Sequence, residues 1–192
     1  MIAIVKYNAG NIQSVKNAVE RLGFPCIVTD DETVLKLAEK VIFPGVGEAS
    51  SAMKYLKERK LDVVIKQLQQ PVLGICLGQQ LLCDFSEEGT TECLGIFKAK
   101  VKKFEAKEKV PHMGWNTISA VKSEIFKDIP ADSDFYFVHS YYAEISEDTT
   151  SVCDYIEPFS ASMQKDNFYA TQFHPEKSSS VGAQVLLNFL QL

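Results

Sequence analysis

Apolar residues along this chain follow two rhythms. Short unbroken runs, Ile2-Ala3-Ile4-Val5, Cys26-Ile27-Val28, Val41-Ile42-Phe43 and Val72-Leu73-Gly74-Ile75, read as strands, the first of them buried. Between them, apolar residues recur at helical spacing. Ile12, Val15, Val19 and Leu22 share one face, with Asn11 placed to cap the helix and Gly23-Phe24-Pro25 to end it. Helix is also predicted over 34–37, 53–68 and 77–85. Strands alternating with helices predict a parallel sheet covered on both faces. From 94 to 173 the strand signals crowd together, with turns at Glu147-Asp148 and Lys165-Asp166-Asn167. Mixed or antiparallel strands are expected there, extending the sheet. Val181, Val185, Leu186, Phe189 and Leu190 form the stripe of a final helix. The expectation is one α/β domain over 1–192: a three-layer sandwich with a mostly parallel central sheet and antiparallel strands added in the C-terminal half.

Composition narrows the function classes. Of 192 residues 46% are apolar, enough for a sizeable core and against wholesale disorder. The net charge of −5 disfavours a nucleic-acid binder, which carries a basic patch. Lys100, Lys102 and Lys103, the densest basic group, read as a solvated face. The five cysteines are odd in number and form no CxxC, which argues against a disulfide framework or a structural zinc site. Free thiols in a reducing compartment fit better. No run approaches the ~18 apolar residues of a membrane span, and the first apolar run is too short for a signal peptide. The expected location is the cytoplasm. Three scattered histidines give no metal-ligand spacing, and no cofactor is expected.

One stretch carries chemistry. In Gly74-Ile75-Cys76-Leu77-Gly78 a strand runs into a helix through Gly-x-Cys-x-Gly, the cysteine form of a nucleophile elbow. The sharp turn lifts one side chain out of the fold, and the glycines let neighbouring backbone come close. At a helix N-terminus the positive dipole end favours a thiolate, and free N–H groups are expected to hold an oxyanion. Cys26, Cys83 and Cys153 lack this setting and read as inert core thiols.

The nucleophile needs a base. His174 closes the strand expected over 168–173 and is followed by Pro175-Glu176. Pro175 disfavours helix, and in extended chain residues i and i+2 face one side. Glu176 is then placed to orient His174 toward the thiol. His-Pro-Glu alone is a weak signal; with the elbow upstream it is a strong one. Pro44-Gly45-Val46-Gly47, at the carboxyl end of a strand, is placed to offer a second N–H to an oxyanion. It lacks the Gly-Lys-Ser/Thr of a phosphate loop. His139, beside Tyr136, Phe137, Tyr141 and Tyr142, reads as a packed strand residue.

These residues together resemble a known family. Gly74-Ile75-Cys76-Leu77-Gly78-Gln79-Gln80 is similar to the signature of class I glutamine amidotransferases, and His174-Pro175-Glu176 to their second motif. Further stretches resemble one branch, the glutaminase subunits that pair with a cyclase in histidine biosynthesis. They are Gly10-Asn11, Pro44-Gly45-Val46-Gly47, Pro111-His112-Met113-Gly114-Trp115-Asn116, Tyr136-Phe137-Val138-His139-Ser140-Tyr141 and Gln172-Phe173-His174-Pro175-Glu176-Lys177. The resemblance spans essentially the whole chain and implies a flavodoxin-like fold. It implies that Cys76 attacks L-glutamine and forms a thioester. His174 moves the proton and Glu176 orients His174. The oxyanion rests on the N–H of Leu77 and on backbone near Val46 or Gly47. Gly45, Gln80, Ser140 and Tyr141 hold glutamine. Asn11, Trp115 and Lys177 face a (β/α)8-barrel cyclase that receives the ammonia in a heterodimer.

Three positions depart from the family pattern: Lys6 in place of a usual Asp, Asn8 in place of Gly, and Gln79 in place of a frequent Met. None belongs to the triad. Related subunits serve sugar amidation in surface-polysaccharide synthesis, which remains an alternative. A peptidase or hydrolase of similar fold needs the same elbow, though Gln80 and the glycine turn favour a small amide. A non-catalytic module that regulates a partner is a third reading, and the complete Cys-His-Glu set argues against it. Trp115 and His112 also read as ordinary core or turn residues.

Overall fold

A computed structural model describes residues 1–192. The first half alternates as the pattern demands: β1 (Ile2–Val5), α1 (Ile12–Arg21), β2 (Cys26–Thr29), α2 (Glu32–Leu37), β3 (Lys40–Phe43), α3 (Ala49–Glu58), α4 (Leu61–Lys66), β4 (Val72–Ile75) and α5 (Leu77–Leu82). Then follow β5 (Cys83–Ser86), β6 (Thr91–Glu92), β7 (Phe97–Lys103), β8 (His112–Thr117), β9 (Asp134–His139), β10 (Tyr141–Ala143), β11 (Thr149–Tyr155), β12 (Glu157–Lys165), β13 (Phe168–Thr171) and α6 (Ser179–Gln191).

The main sheet has seven strands in the order β11-β12-β13-β4-β3-β1-β2. From β2 to β13 neighbours run parallel; β12 and β11 are antiparallel additions. Successive residues of a strand point to opposite faces. Accordingly Ile2 and Ile4 of β1 pack with α1 and α6, whereas Ala3 and Val5 pack with α2, α3, α4 and α5. No helix is long and apolar enough to cross a membrane.

Three expectations need correction. The helix predicted over 53–68 is two helices, broken at Lys60, which sits at φ 59°. Leu56, Leu61, Val64 and Ile65 are all buried, so the apolar stripe runs on across the break. The helix predicted over 77–85 stops at Leu82, because Cys83 to Ser86 pair with β7. Finally, only β11, β12 and β13 of the later strands extend the main sheet. The sheets β10-β7-β5-β6 and β8-β9 are separate. The first of these packs Phe97, Ala99 and Val101 into the core on the α3 side.

Candidate active site

Strands β4 and β13 lie side by side in parallel, with Ile75 opposite Thr171. Both chains therefore leave the sheet at the same edge, and Cys76 N–H donates to Thr171 O at 2.7 Å. Cys76 has φ 53° and ψ −106°, a conformation that costs a non-glycine residue about 1–3 kcal/mol. Packing enforces it. A Cβ on Gly78 would stand 1.8 Å from Phe43 O, so only glycine lets α5 approach β3 this closely. The thiol is held at the start of α5, with the residue 6% exposed.

His174 is extended, φ −97° and ψ 96°, as a residue before proline should be. The extended chain expected beyond it does not occur. Pro175–Lys177 forms a 3-10 turn, and proline fits the first position because its missing N–H has no helical partner. The turn still brings Glu176 back: His174 Nδ1 bonds Glu176 Oε1 at 2.7 Å. Both side chains are fully buried. The histidine backbone is anchored as well, its N–H donating to Tyr136 O at 2.9 Å and its carbonyl accepting from Ser178 Oγ at 2.7 Å.

His174 Nε2, the nitrogen that Glu176 does not hold, makes no hydrogen bond. Burial works against a proton on this imidazole, but Cys76 and then Glu176 outweigh burial and raise the pKa to about 10. Burial likewise works against a charged Glu176, and the His174 bond overrides it and holds the carboxyl below its usual range. Four cysteines lie outside this pair: Cys26, Cys83, Cys93 and Cys153. Burial raises all of them, Cys83 well above the thiol range and Cys93 and Cys153 to about 12.

Asn11 occupies the cap position of α1 but does not cap it. It sits at φ 71°, and its Nδ2 donates to Glu176 Oε1 and lies 3.4 Å from His174 Nδ1. Asp31 of α2 shows the ordinary behaviour, accepting from Val34 N–H at 2.9 Å. Such a cap is worth about 1 kcal/mol, and α1 forgoes it so that its asparagine can hold the glutamate. Lys177 and Trp115 are exposed. Trp115 packs on Tyr136, ring centroids 6.0 Å apart, and so borders the backbone that anchors His174.

The glycine turn reaches the cavity beside the thiol through Val46 and Gly47. Its three holds are Tyr7 Oη donating to Pro44 O at 2.6 Å, Gly10 N–H donating to Val46 O at 2.9 Å and Leu77 N–H donating to Gly45 O at 3.1 Å. The last of these corrects the expectation of a free Leu77 N–H: a buried donor takes the nearest acceptor.

A cavity of about 300 Å³ opens beside Cys76, lined by Val46, Gly47, Leu77, Gln80, Ser140 and Tyr141 among others. Gly45 does not line it. Gln80 Nε2 donates to Tyr141 O and to Gln172 Oε1, both at 2.9 Å. A carboxylate missed in the sequence, Glu88, also lines the cavity. Its Oε2 accepts from Ala49 N–H at 2.8 Å, and burial raises its pKa. Nothing in Glu87-Glu88-Gly89 distinguishes it from a surface turn. His139 borders the cavity but is no base. Burial lowers its pKa to about 3, and its ring bonds His112 at 3.0 Å and Tyr141 O at 2.7 Å. His112 is lowered by burial to about 4 and stacks on Tyr155 and Phe137. A separate, mainly apolar cavity of about 370 Å³, lined by Ile118, Phe126, Ile129 and Phe135, lies away from the thiol.

An elbow cysteine, a histidine held by a glutamate and a parallel sheet that brings them to one edge define a class of protein. The sequence profile described as Glutamine amidotransferase class-I matches residues 3–192, and the chain belongs to that family. Among its relatives is the imidazole glycerol phosphate synthase subunit HisH of Bacteroides fragilis, 60% identical over 100% of this chain and 99% of that one. The protein of the same name from Colwellia psychrerythraea is 47% identical over 98% and 92%. In fold the chain resembles a Thermoplasma acidophilum protein described as a putative GMP synthase component, with TM-score 0.76 at 20% identity over 100% of this chain and 92% of that one. It likewise resembles a protein described as a glutamine amidotransferase, with TM-score 0.75 at 17% identity over 99% and 97%.

Proposed function

We propose that this chain is the glutaminase subunit of an imidazole glycerol phosphate synthase, releasing ammonia from L-glutamine for a (β/α)8-barrel cyclase in cytoplasmic histidine biosynthesis. The observation that carries the reading is an elbow thiol at the same sheet edge as His174, near enough to raise its pKa, with Glu176 holding the imidazole by Nδ1. The names of the relatives support the pathway.

Glutamine enters the cavity with its side-chain amide toward Cys76. Glu88 receives the α-ammonium, and Gln80, both of whose side-chain N–H groups are engaged, offers its Oε1. His174 Nε2 holds the proton that the thiol has given up, and Sγ adds to the amide carbon. The oxyanion is met by Leu77 N–H and by an N–H of the Val46-Gly47 backbone. The imidazolium then protonates the departing nitrogen, ammonia leaves and a thioester remains. Water, deprotonated by the same imidazole, releases glutamate.

Leu77 N–H donates to Gly45 O in this structure, so the glycine turn has to swing away before the oxyanion can be held. The cyclase drives that movement by docking on a face that includes Asn11, Trp115 and Lys177. The chain alone is accordingly nearly inactive. Cys76→Ala is expected to abolish glutamine hydrolysis in the complex while leaving ammonia-dependent synthesis intact. Retained hydrolysis overturns the nucleophile assignment.

A further inference from the structure

Gln172 is fully buried two residues before His174 and has no part in the mechanism so far. Its backbone N–H is fixed on Ala161 O at 2.8 Å. Its side-chain Oε1 accepts from Gln80 Nε2 at 2.9 Å. A carboxamide has one accepting end and one donating end. With Oε1 committed to Gln80, Nε2 must point the other way, and it points at Cys76 Sγ, 3.6 Å distant. Gln80 cannot reverse the arrangement, because its other Nε2 hydrogen is spent on Tyr141 O.

The sulfur has a second polar neighbour, Val138 O at 3.9 Å. The two contacts favour opposite protonation states. A carbonyl can accept from S–H but repels S⁻; an amide N–H favours S⁻, more strongly in a buried site.

We infer that Gln172 is a catalytic residue: it donates a hydrogen bond to the Cys76 sulfur and stabilises the thiolate, both before attack and when the thiolate leaves the thioester. No proton changes hands at Gln172. Its amide is oriented by Gln80, so one chain of hydrogen bonds runs from Tyr141 O on the cavity wall through Gln80 and Gln172 to the nucleophile. The inference rests on Cys76 being the nucleophile.

The test is alkylation of the full-length chain by iodoacetamide across a pH series, with the rate at Cys76 read by peptide mass spectrometry. Gln172→Met removes the donor at similar length; Gln172→Glu keeps the shape and supplies the readout if the methionine variant fails to fold. In either variant the Cys76 rate at neutral pH is expected to fall about tenfold and its pH midpoint to rise by about one unit. A pH profile in both variants that matches the parent overturns the inference and leaves the nucleophile assignment standing. A parent Cys76 as slow as Cys153 overturns both.

Discussion

Gly78 and Gly47 both flank Leu77, and they live under different rules. Gly78 is walled in: its missing Cβ would stand 1.8 Å from a main-chain oxygen of β3. Gly47, at φ +145°, is exposed, and a Cβ there would meet only Leu77 Cδ2 at 3.9 Å. The elbow is thus fixed by contact with backbone, which has no second arrangement nearby. The glycine turn is fixed by Tyr7, Gly10 and Leu77 through hydrogen bonds that can be exchanged for others. Chemistry that needs a sulfur always in place and an oxyanion site made on demand is served by this division. On the proposed function, a nucleophile ready before its oxyanion site is complete turns over little substrate, which suits a subunit that supplies ammonia to a partner.

The largest effect should come from breaking the rigid side. Gly78→Ala is expected to cost about 3 kcal/mol in urea unfolding and to remove glutamine hydrolysis, since relief of the overlap requires α5 to move and Cys76 with it. An active Gly78→Ala enzyme of parental stability would show that the elbow is not set by packing.

The electrostatic anchor of the same side is smaller and depends on pH. The folded pKa of His174 is raised from 6.5 to about 10. The stability it brings is therefore full below pH about 6.5 and drains away as pH climbs through about 10. Unfolding midpoints of the parent should fall over that range relative to those of His174→Gln, in which the contribution is absent. Parallel curves for the two proteins would remove His174 from the account of stability.

The adjustable side should respond most gently. Tyr7→Phe deletes the hydroxyl that holds Pro44 O and is expected to cost about 1 kcal/mol. With one of its three holds gone, the turn should move more readily, so hydrolysis by the chain without its partner should rise. Unchanged basal turnover in a folded Tyr7→Phe protein would mean that this bond does not restrain the turn.

Sequence revealed the rigid side better than the adjustable one, for physical reasons. Strands β1, β3 and β4 are buried on both faces and read as unbroken apolar runs, and the elbow is legible because backbone contact permits only glycine at position 78. The break at Lys60 was invisible because the residues on both sides keep one buried stripe. The end of α5 at Leu82 is decided by pairing with β7, a partner far along the chain. Asn11 carried the composition of a helix cap and does other work, because Glu176 lies within its reach only once the chain has folded. Glu88 had no local signal, and Gln172, though inside the stretch that ends in His174-Pro175-Glu176, had none that set it apart as a neighbour of the thiol. A glutamine between Thr171 and Phe173 in a mostly apolar strand end is the one oddity that could have drawn notice to it.

The central claim is that one sulfur of the five is a nucleophile facing a glutamine-sized cavity. A chloroketone analogue of glutamine, followed by mass spectrometry of the whole chain and its peptides, tests it directly. The account predicts a single adduct, on Cys76, suppressed by excess L-glutamine, with Cys26, Cys83, Cys93 and Cys153 unmodified. Labelling spread over several cysteines, or labelling of Cys76 that glutamine does not protect, would contradict it.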